Sequence, residues 1–224
     1  MKRIVLVGFG DIAQTAHLPA LLNQSEFEMV SVVEIDSVCA QKASAAARVP
    51  VFSTIEEAMQ TNPTAAIVCT PPHITPAIVV KALQLDLHVL VEKPIAVTRA
   101  AASEISSAAK SAKKVVQIGF VNRFAPFIIE TKRLIDTGLL GKPLMISMGA
   151  FDEALNEKDS HHFKKVMGFL EHGSSFAHEG THLLDYLRFF QFGEPRRISA
   201  LGMRSDSRFP SENWVYVNLS FGDG

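Results

Sequence analysis

Ile4-Val5-Leu6-Val7-Gly8-Phe9-Gly10-Asp11-Ile12-Ala13 decides the fold: an apolar strand runs straight into a Gly-x-Gly-x-x-Ala turn. A buried strand that bends sharply into a helix on this spacing aims backbone N–H groups and a helix N-terminus at one point, where a pyrophosphate can sit. Gly8, Phe9, Gly10, Asp11, Ile12 and Ala13 are therefore the expected phosphate-binding turn of a dinucleotide site. Because Gly-rich strand-to-helix turns also occur as plain tight turns, the pattern gains weight only from the acidic residue downstream.

That residue closes a second strand, Met29-Val30-Ser31-Val32-Val33, which ends at Glu34, 21 residues after Ala13. A carboxylate at that distance meets the ribose 2′-hydroxyl of the adenosine half, and a 2′-phosphate would meet a like charge there. Glu34 thus favours NAD over NADP, with Arg48 and Lys42 near enough in sequence to soften the preference. The alternative is a strand that merely ends in solvent at Glu34 and Asp36.

A chain of 224 residues with 47% hydrophobic content can bury one large core or two modest ones. Its net charge of −1, without a run of Lys or Arg, argues against a nucleic-acid or membrane surface as partner. No apolar run approaches the roughly 18 residues of a membrane span, and the first strand begins too early for an export signal. Cys39 and Cys69, widely spaced in apolar context, read as reduced core residues and not as a disulfide framework. The expectation is a soluble, cytoplasmic protein with a small-molecule partner.

Strand and helix signals alternate through the first half of the chain. Strands are expected at 4–7, 29–33, 51–52, 65–69, 88–91 and 115–118, and helices at about 11–23, 37–47, 55–60, 75–85 and 98–112. That order predicts an α/β architecture, a doubly wound parallel sheet with helices on both faces, over residues 1–121. After Phe120 the character changes. A helix over 124–137 ending at Gly138, a strand near 144–150, a helix over 180–190 and strands at 197–204 and 213–221 predict a second, α+β domain over residues 122–224. Phe221-Gly222-Asp223-Gly224 is a turn signal with no returning strand, so the second sheet is expected to be incomplete and open, as in a truncated form of a longer chain.

Two further motifs stand at the carboxyl ends of parallel strands, the edge where open α/β sheets bind ligands: Thr70-Pro71-Pro72-His73 and Val91-Glu92-Lys93-Pro94. His17-Leu18-Pro19-Ala20-Leu21 precedes them, and Gly119-Phe120 followed by Arg123-Phe124 comes after. Taken in this order with the Gly-rich turn, they resemble the Gfo/Idh/MocA family of nicotinamide-dependent sugar and polyol oxidoreductases, over essentially the whole chain. The resemblance implies a Rossmann domain for the first half and a nicotinamide half-site bordered by Thr70, Pro71, His73, Glu92 and Lys93. It also implies a cis Lys93–Pro94 bond that turns the lysine toward nicotinamide and substrate. By itself Lys93 reads as an ordinary solvated lysine.

In the second domain the family pattern Asp-x-Gly-x-His-x-x-Asp aligns with His178-Glu179-Gly180-Thr181-His182-Leu183-Leu184-Asp185. Spacings of four and three place 178, 182 and 185 on one helical stripe, while Leu183, Leu184 and Leu187 can face a core. The resemblance makes His182 the acid/base residue: hydride transfer from an alcohol carbon also needs the hydroxyl proton to leave, and an imidazole suits that task. An ammonium on Lys93 would stabilise the developing alkoxide. His178 stands where the family has Asp. It is the third catalytic candidate, and it puts substrate choice and even turnover in question, because an imidazole cannot accept two hydroxyl hydrogen bonds as a carboxylate can. Asp185 either orients the His182 ring or holds the helix to the domain interface. His161, His162 and His172 either line a substrate cleft or face solvent.

The same segment spells His-Glu-x-x-His, a zinc-peptidase signature, weakened by Gly180 between the histidines, by the motif's brevity and by a dinucleotide domain that peptide hydrolysis does not need. The function expected is an NAD-dependent dehydrogenase or reductase acting on a CH–OH group of a sugar, polyol or related small molecule, without a resident metal and homo-oligomeric at full length. The alternative from another class is a dinucleotide-binding sensor or scaffold that has lost catalysis, motivated by His178 and the incomplete second domain.

Overall fold

The strands of the first half are apolar without alternation because both faces of their sheet are covered. The computed structural model describes residues 1–141, 143–150, 160–171, 176–205 and 207–222, and the chain divides into two compact units, Met1–Gly119 and Phe120–Gly224. In the first, strands β1 (Lys2–Val7), β2 (Phe27–Val33), β3 (Val51–Phe52), β4 (Ala65–Val68), β5 (His88–Val91) and β6 (Val116–Ile118) form one parallel sheet in the order β3-β2-β1-β4-β5-β6. The order reverses between β1 and β4. That reversal opens the crevice at the carboxyl edge where doubly wound sheets take their ligands.

Alternate residues of β1 feed two cores. Val5 and Val7 join Val68, Val79, Leu83 and Ile105 on one face, while Ile4 and Leu6 join Leu18, Leu21, Val32 and Ile67 on the other. Each such side chain contributes about 1.5–3 kcal/mol on burial, so the sheet is held from both sides. The covering helices begin where local chemistry starts them. Asp36 accepts the Cys39 N–H at 2.8 Å ahead of α2 (Ser37–Ala47), Thr54 and Glu57 form a reciprocal box at α3 (Ile55–Ala58), and Thr98 accepts from Ala101 ahead of α5 (Arg99–Ala112). Between them, α4 (Thr75–Gln84) starts with a proline in its first turn.

The helix expected over 11–23 is not regular. Ala13–His17 form a π-helical turn before α1 (Leu18–Leu22), closed by the Leu18 N–H donating to the Ala13 carbonyl. A π turn holds one residue more than an α turn and so changes the side on which His17 projects.

In the second unit a 3-10 turn, Val121–Phe124, leads into α6 (Pro126–Asp136), and α7 (Ser160–Glu171) follows. A π-helical segment, Phe176–Gly180, then runs into α8 (Thr181–Phe189), and β7 (Arg197–Met203) pairs antiparallel with β8 (Trp214–Ser220). Two expectations are corrected. Residues 143–150 join no ladder among the described residues, with Leu144 96% and Met145 87% exposed; alternation alone does not make a strand when no neighbouring backbone satisfies its N–H and C=O groups. And α7 occupies a stretch where no helix is expected, although Phe163, Val166, Met167 and Leu170 recur at helical spacing. Among the described residues no helix is long and apolar enough to cross a membrane.

Candidate functional site

The Gly-rich turn is set by a close approach. Gly8 has φ +86°, and a Cβ there would lie 2.8 Å from the Cys69 carbonyl oxygen and 3.2 Å from the Thr70 methyl, so no other residue fits where β1 and β4 converge. Around the position of a Cβ on Gly10 there is nothing within 4 Å, which leaves that backbone approachable. Phe9 and Ala13 are fully buried and anchor the turn in the core, while Asp11 and Ile12 stay exposed at the helix start. Glu34, at the end of β2, accepts three backbone N–H groups: Phe9 at 2.7 Å, Ile35 at 2.7 Å and Asp36 at 2.8 Å. Its carboxylate is thereby fixed beside the turn. A tight Gly turn, an open second glycine and an immobilised carboxylate 25 residues from Phe9 are what an adenosine diphosphate half-site requires, and the residues present fit that group.

Further along the same edge, Thr70-Pro71-Pro72-His73 forms the turn between β4 and α4. Thr75, 2% exposed, pins it: the Thr75 hydroxyl lies 2.8 Å from Thr70 Oγ1, 2.9 Å from the Thr70 carbonyl and 3.0 Å from the Pro71 carbonyl. Pro71 and His73 face solvent. The Lys93–Pro94 bond is cis, and Lys93 is half-buried.

Glu92 Oε1 lies 2.7 Å from Nε2 of His17, and Glu92 Oε2 accepts the Lys93 N–H at 3.2 Å. Burial by itself would raise the Glu92 carboxyl. The hydrogen bond to His17, the electrostatic pull of His17 and Lys93 and the Lys93 N–H outweigh it and hold Glu92 below the ordinary carboxylate value. Beneath, burial and then the Glu92 charge push the Cys69 thiol up, so it is protonated and inert.

In the second unit, His178 Nδ1 lies 2.9 Å from Glu179 Oε1. The Phe176 ring occupies the space that a Cβ on Gly180 would need, which accounts for glycine there. Because the π-helical segment precedes α8, His178 is not on the regular stripe expected with His182 and Asp185. His182 is buried, with its ring edge-on to Phe120 at 6.0 Å between centroids. Asp185 forms its ion pair within the second unit. Its carboxylate, 5% exposed, takes Arg123 bidentately, Nε to Oδ2 at 2.7 Å and Nη2 to Oδ1 at 2.5 Å. The guanidinium also stacks over Phe189 at 5.3 Å. A cavity of about 770 Å³, mostly apolar and with Glu179, His182 and Tyr186 among its polar groups, opens between α6, residues 143–150 and α8. His172 and the side chains of His161 and His162 lie outside the described residues.

Three residues had no role in the sequence reading. His17 and Arg123 lay inside quoted motifs, and only their partners, 75 and 62 residues away, give them one. Thr75 had no signal beyond a threonine opening a helix. Among the described residues no group of three or more His, Cys, Asp or Glu is arranged to hold a metal ion, so the His-Glu-x-x-His spelling gains no support.

Residues 2–120 match the model of the Gfo/Idh/MocA oxidoreductase family, NAD-binding Rossmann fold, and residues 128–224 match the Gfo/Idh/MocA C-terminal domain. Inositol 2-dehydrogenase of Salmonella typhimurium is 32% identical over 146 residues, 63% of this chain and 43% of that one. The rhizopine catabolism protein MocA of Rhizobium meliloti is 27% identical over 195 residues, 86% of this chain and 58% of that one. In fold, the chain superposes on the WlbA dehydrogenase of Bordetella pertussis, solved with NADH and UDP-GlcNAcA, with a TM-score of 0.85 at 21% identity, covering 98% of this chain and 63% of that one. The chain spans about half the length of the curated relatives it matches.

Proposed function

The chain belongs to the Gfo/Idh/MocA oxidoreductase family, and on that premise we propose that it moves a hydride between NAD and a CH–OH carbon of a sugar, polyol or related small molecule. The observation that carries this reading is one sheet edge that gathers an approachable Gly-rich turn, a carboxylate fixed by three backbone N–H groups and the Lys93–Pro94 turn.

Bound NAD would supply the hydride acceptor at its nicotinamide ring. Gly8, Phe9, Gly10, Asp11, Ile12 and Ala13 shape the pyrophosphate turn, and Glu34 accepts one ribose hydroxyl hydrogen on Oε2, where its three backbone bonds leave a lone pair over. Thr70, Pro71, His73 and Glu92 border the nicotinamide half. Lys93 places an ammonium against the substrate oxygen, where negative charge grows as the C–H bond breaks. His182 takes the hydroxyl proton during oxidation and returns it during reduction. His178 replaces a carboxylate with a ring already bonded to Glu179 and is proposed to set which hydroxyl pattern is accepted. Glu34 supports NAD over NADP.

Titration of the chain with NADH and NADPH tests the reading. Saturable binding, clearly tighter for NADH, is expected, followed by NAD reduction with one or more compounds in a panel of polyols and sugars. Binding of neither cofactor sinks the proposal. Cofactor binding without turnover, with polyol oxidation appearing only in His178→Asp, would make the native chain a dinucleotide binder.

A further inference from the structure

We propose that His17 is a positioning residue that links the Gly-rich turn to the nicotinamide half-site, by clamping the Glu92 carboxylate that holds the Lys93 backbone. The inference rests on the dinucleotide reading above. Three observations within the first unit carry it.

The first is the π-helical turn Ala13–His17, which begins on the last residue of the Gly-x-Gly-x-x-Ala motif and ends on His17. A π turn is less favourable than a continued α-helix and persists where a side chain needs a direction the regular helix does not give. The second is the contact that direction produces: His17 Nε2 meets Glu92 Oε1 at 2.7 Å, with the two side chains only 15% and 19% exposed. The third is how closely Glu92 is confined. Its other oxygen accepts the Lys93 N–H at 3.2 Å, and a Cβ on Gly119 would stand 3.1–3.2 Å from the carboxylate, so the group cannot swing toward β6 without meeting that backbone.

The result is a chain of contacts from the pyrophosphate turn through His17 and Glu92 to the residue proposed to meet the reacting oxygen. His17 itself touches none of the reacting atoms. It fixes the slope of the Glu92-Lys93 wall, and with it the room for a nicotinamide ring. Because Nε2 is the bonded nitrogen, what Glu92 needs from His17 is a single N–H donor at the right reach. A glutamine amide can offer the same donor at nearly the same distance from the backbone, and a leucine cannot.

The test compares two ligands of the chain, NADH and ADP-ribose, which share adenosine, pyrophosphate and a second ribose but differ in the nicotinamide. Losing a hydrogen bond to a partly buried carboxylate should weaken the dependent ligand by about tenfold or more. His17→Leu is expected to weaken NADH by that factor and to leave ADP-ribose within about twofold, so that the ratio of the two dissociation constants collapses. His17→Gln is expected to restore the ratio, and Glu92→Ala to reproduce the selective loss from the other side of the contact. Equal weakening of both ligands in His17→Leu and in Glu92→Ala would show a structural role for the pair and overturn the inference, as would unchanged affinities or a glutamine that fails to rescue. A wild-type chain that binds neither ligand would instead overturn the dinucleotide reading and this inference together.

Discussion

The two units fix their functional side chains by different means. At the first unit's sheet edge, backbone does most of it: Gly8 is locked against the Cys69 carbonyl, and Glu34 is gripped by three N–H groups. In the second unit, side chains do it. Asp185 is held by Arg123, Arg123 by aromatic faces and His182 by the edge of Phe120, while β7 is exposed along its whole length. A geometry made of backbone bonds tolerates little change at its turn residues. One made of side-chain pairs can be retuned by single substitutions, which suits the proposed reading of a constant cofactor on the first unit and a variable substrate on the second.

The largest expected effect tests the backbone half of that contrast. Gly8→Val places a β-branched residue at φ +86° against the Cys69 carbonyl; it should destabilise the first unit by about 4 kcal/mol and abolish NADH binding, read by urea unfolding and by titration. Tolerance of valine would break the contrast outright. Next, Asp185→Asn leaves Arg123 without its bidentate carboxylate. It should cost about 2–3 kcal/mol, with Arg123 partly solvated, and lower the second unit's melting transition without changing NADH affinity. A parallel loss of NADH binding would mean that the two units do not divide the work.

Glu34→Ala sharpens the comparison at intermediate size. NADH should weaken by about tenfold and NADPH by less, so the preference narrows in a two-cofactor titration. The smallest effect is a pH dependence. The folded state holds the Glu92 carboxyl below its ordinary 4.5, so this group's contribution to stability is fully present above that value and is lost as pH falls through the lower folded one. Glu92→Gln should therefore flatten the acid limb of a stability–pH curve while leaving the neutral region parallel.

The first unit was legible because its signals are local. Each strand is a short apolar run closed by a turn residue, each crossover is brief, and Asp36, Thr54 and Thr98 announce their helices within four residues. The candidate site can be read from the sequence only as far as its motifs reach. His17 with Glu92 and Arg123 with Asp185 escaped because a pair 75 or 62 residues apart leaves no periodic trace. The π turns escaped for a related reason: one inserted residue disturbs the hydrophobic period too little to be read. Residues 143–150 show the opposite failure. Leu144, Ile146 and Met148 alternate as a strand should, but a ladder is a property of two segments, and among the described residues that stretch has no partner.

Cys39 and Cys69 sit at two depths of the same core, one half-buried in the first turn of α2 and one closed beneath the Gly-rich turn. Burial pushes both thiols toward the protonated form; alkylation of Cys69 must wait for the structure to open, and that of the half-buried Cys39 is slow until its helix frays. The chain therefore carries two internal clocks: the rate at which Cys39 is trapped reports fraying of one helix, and the rate at which Cys69 is trapped reports parting of β1 from β4. A ligand seated on the turn should slow the second clock and leave the first nearly untouched.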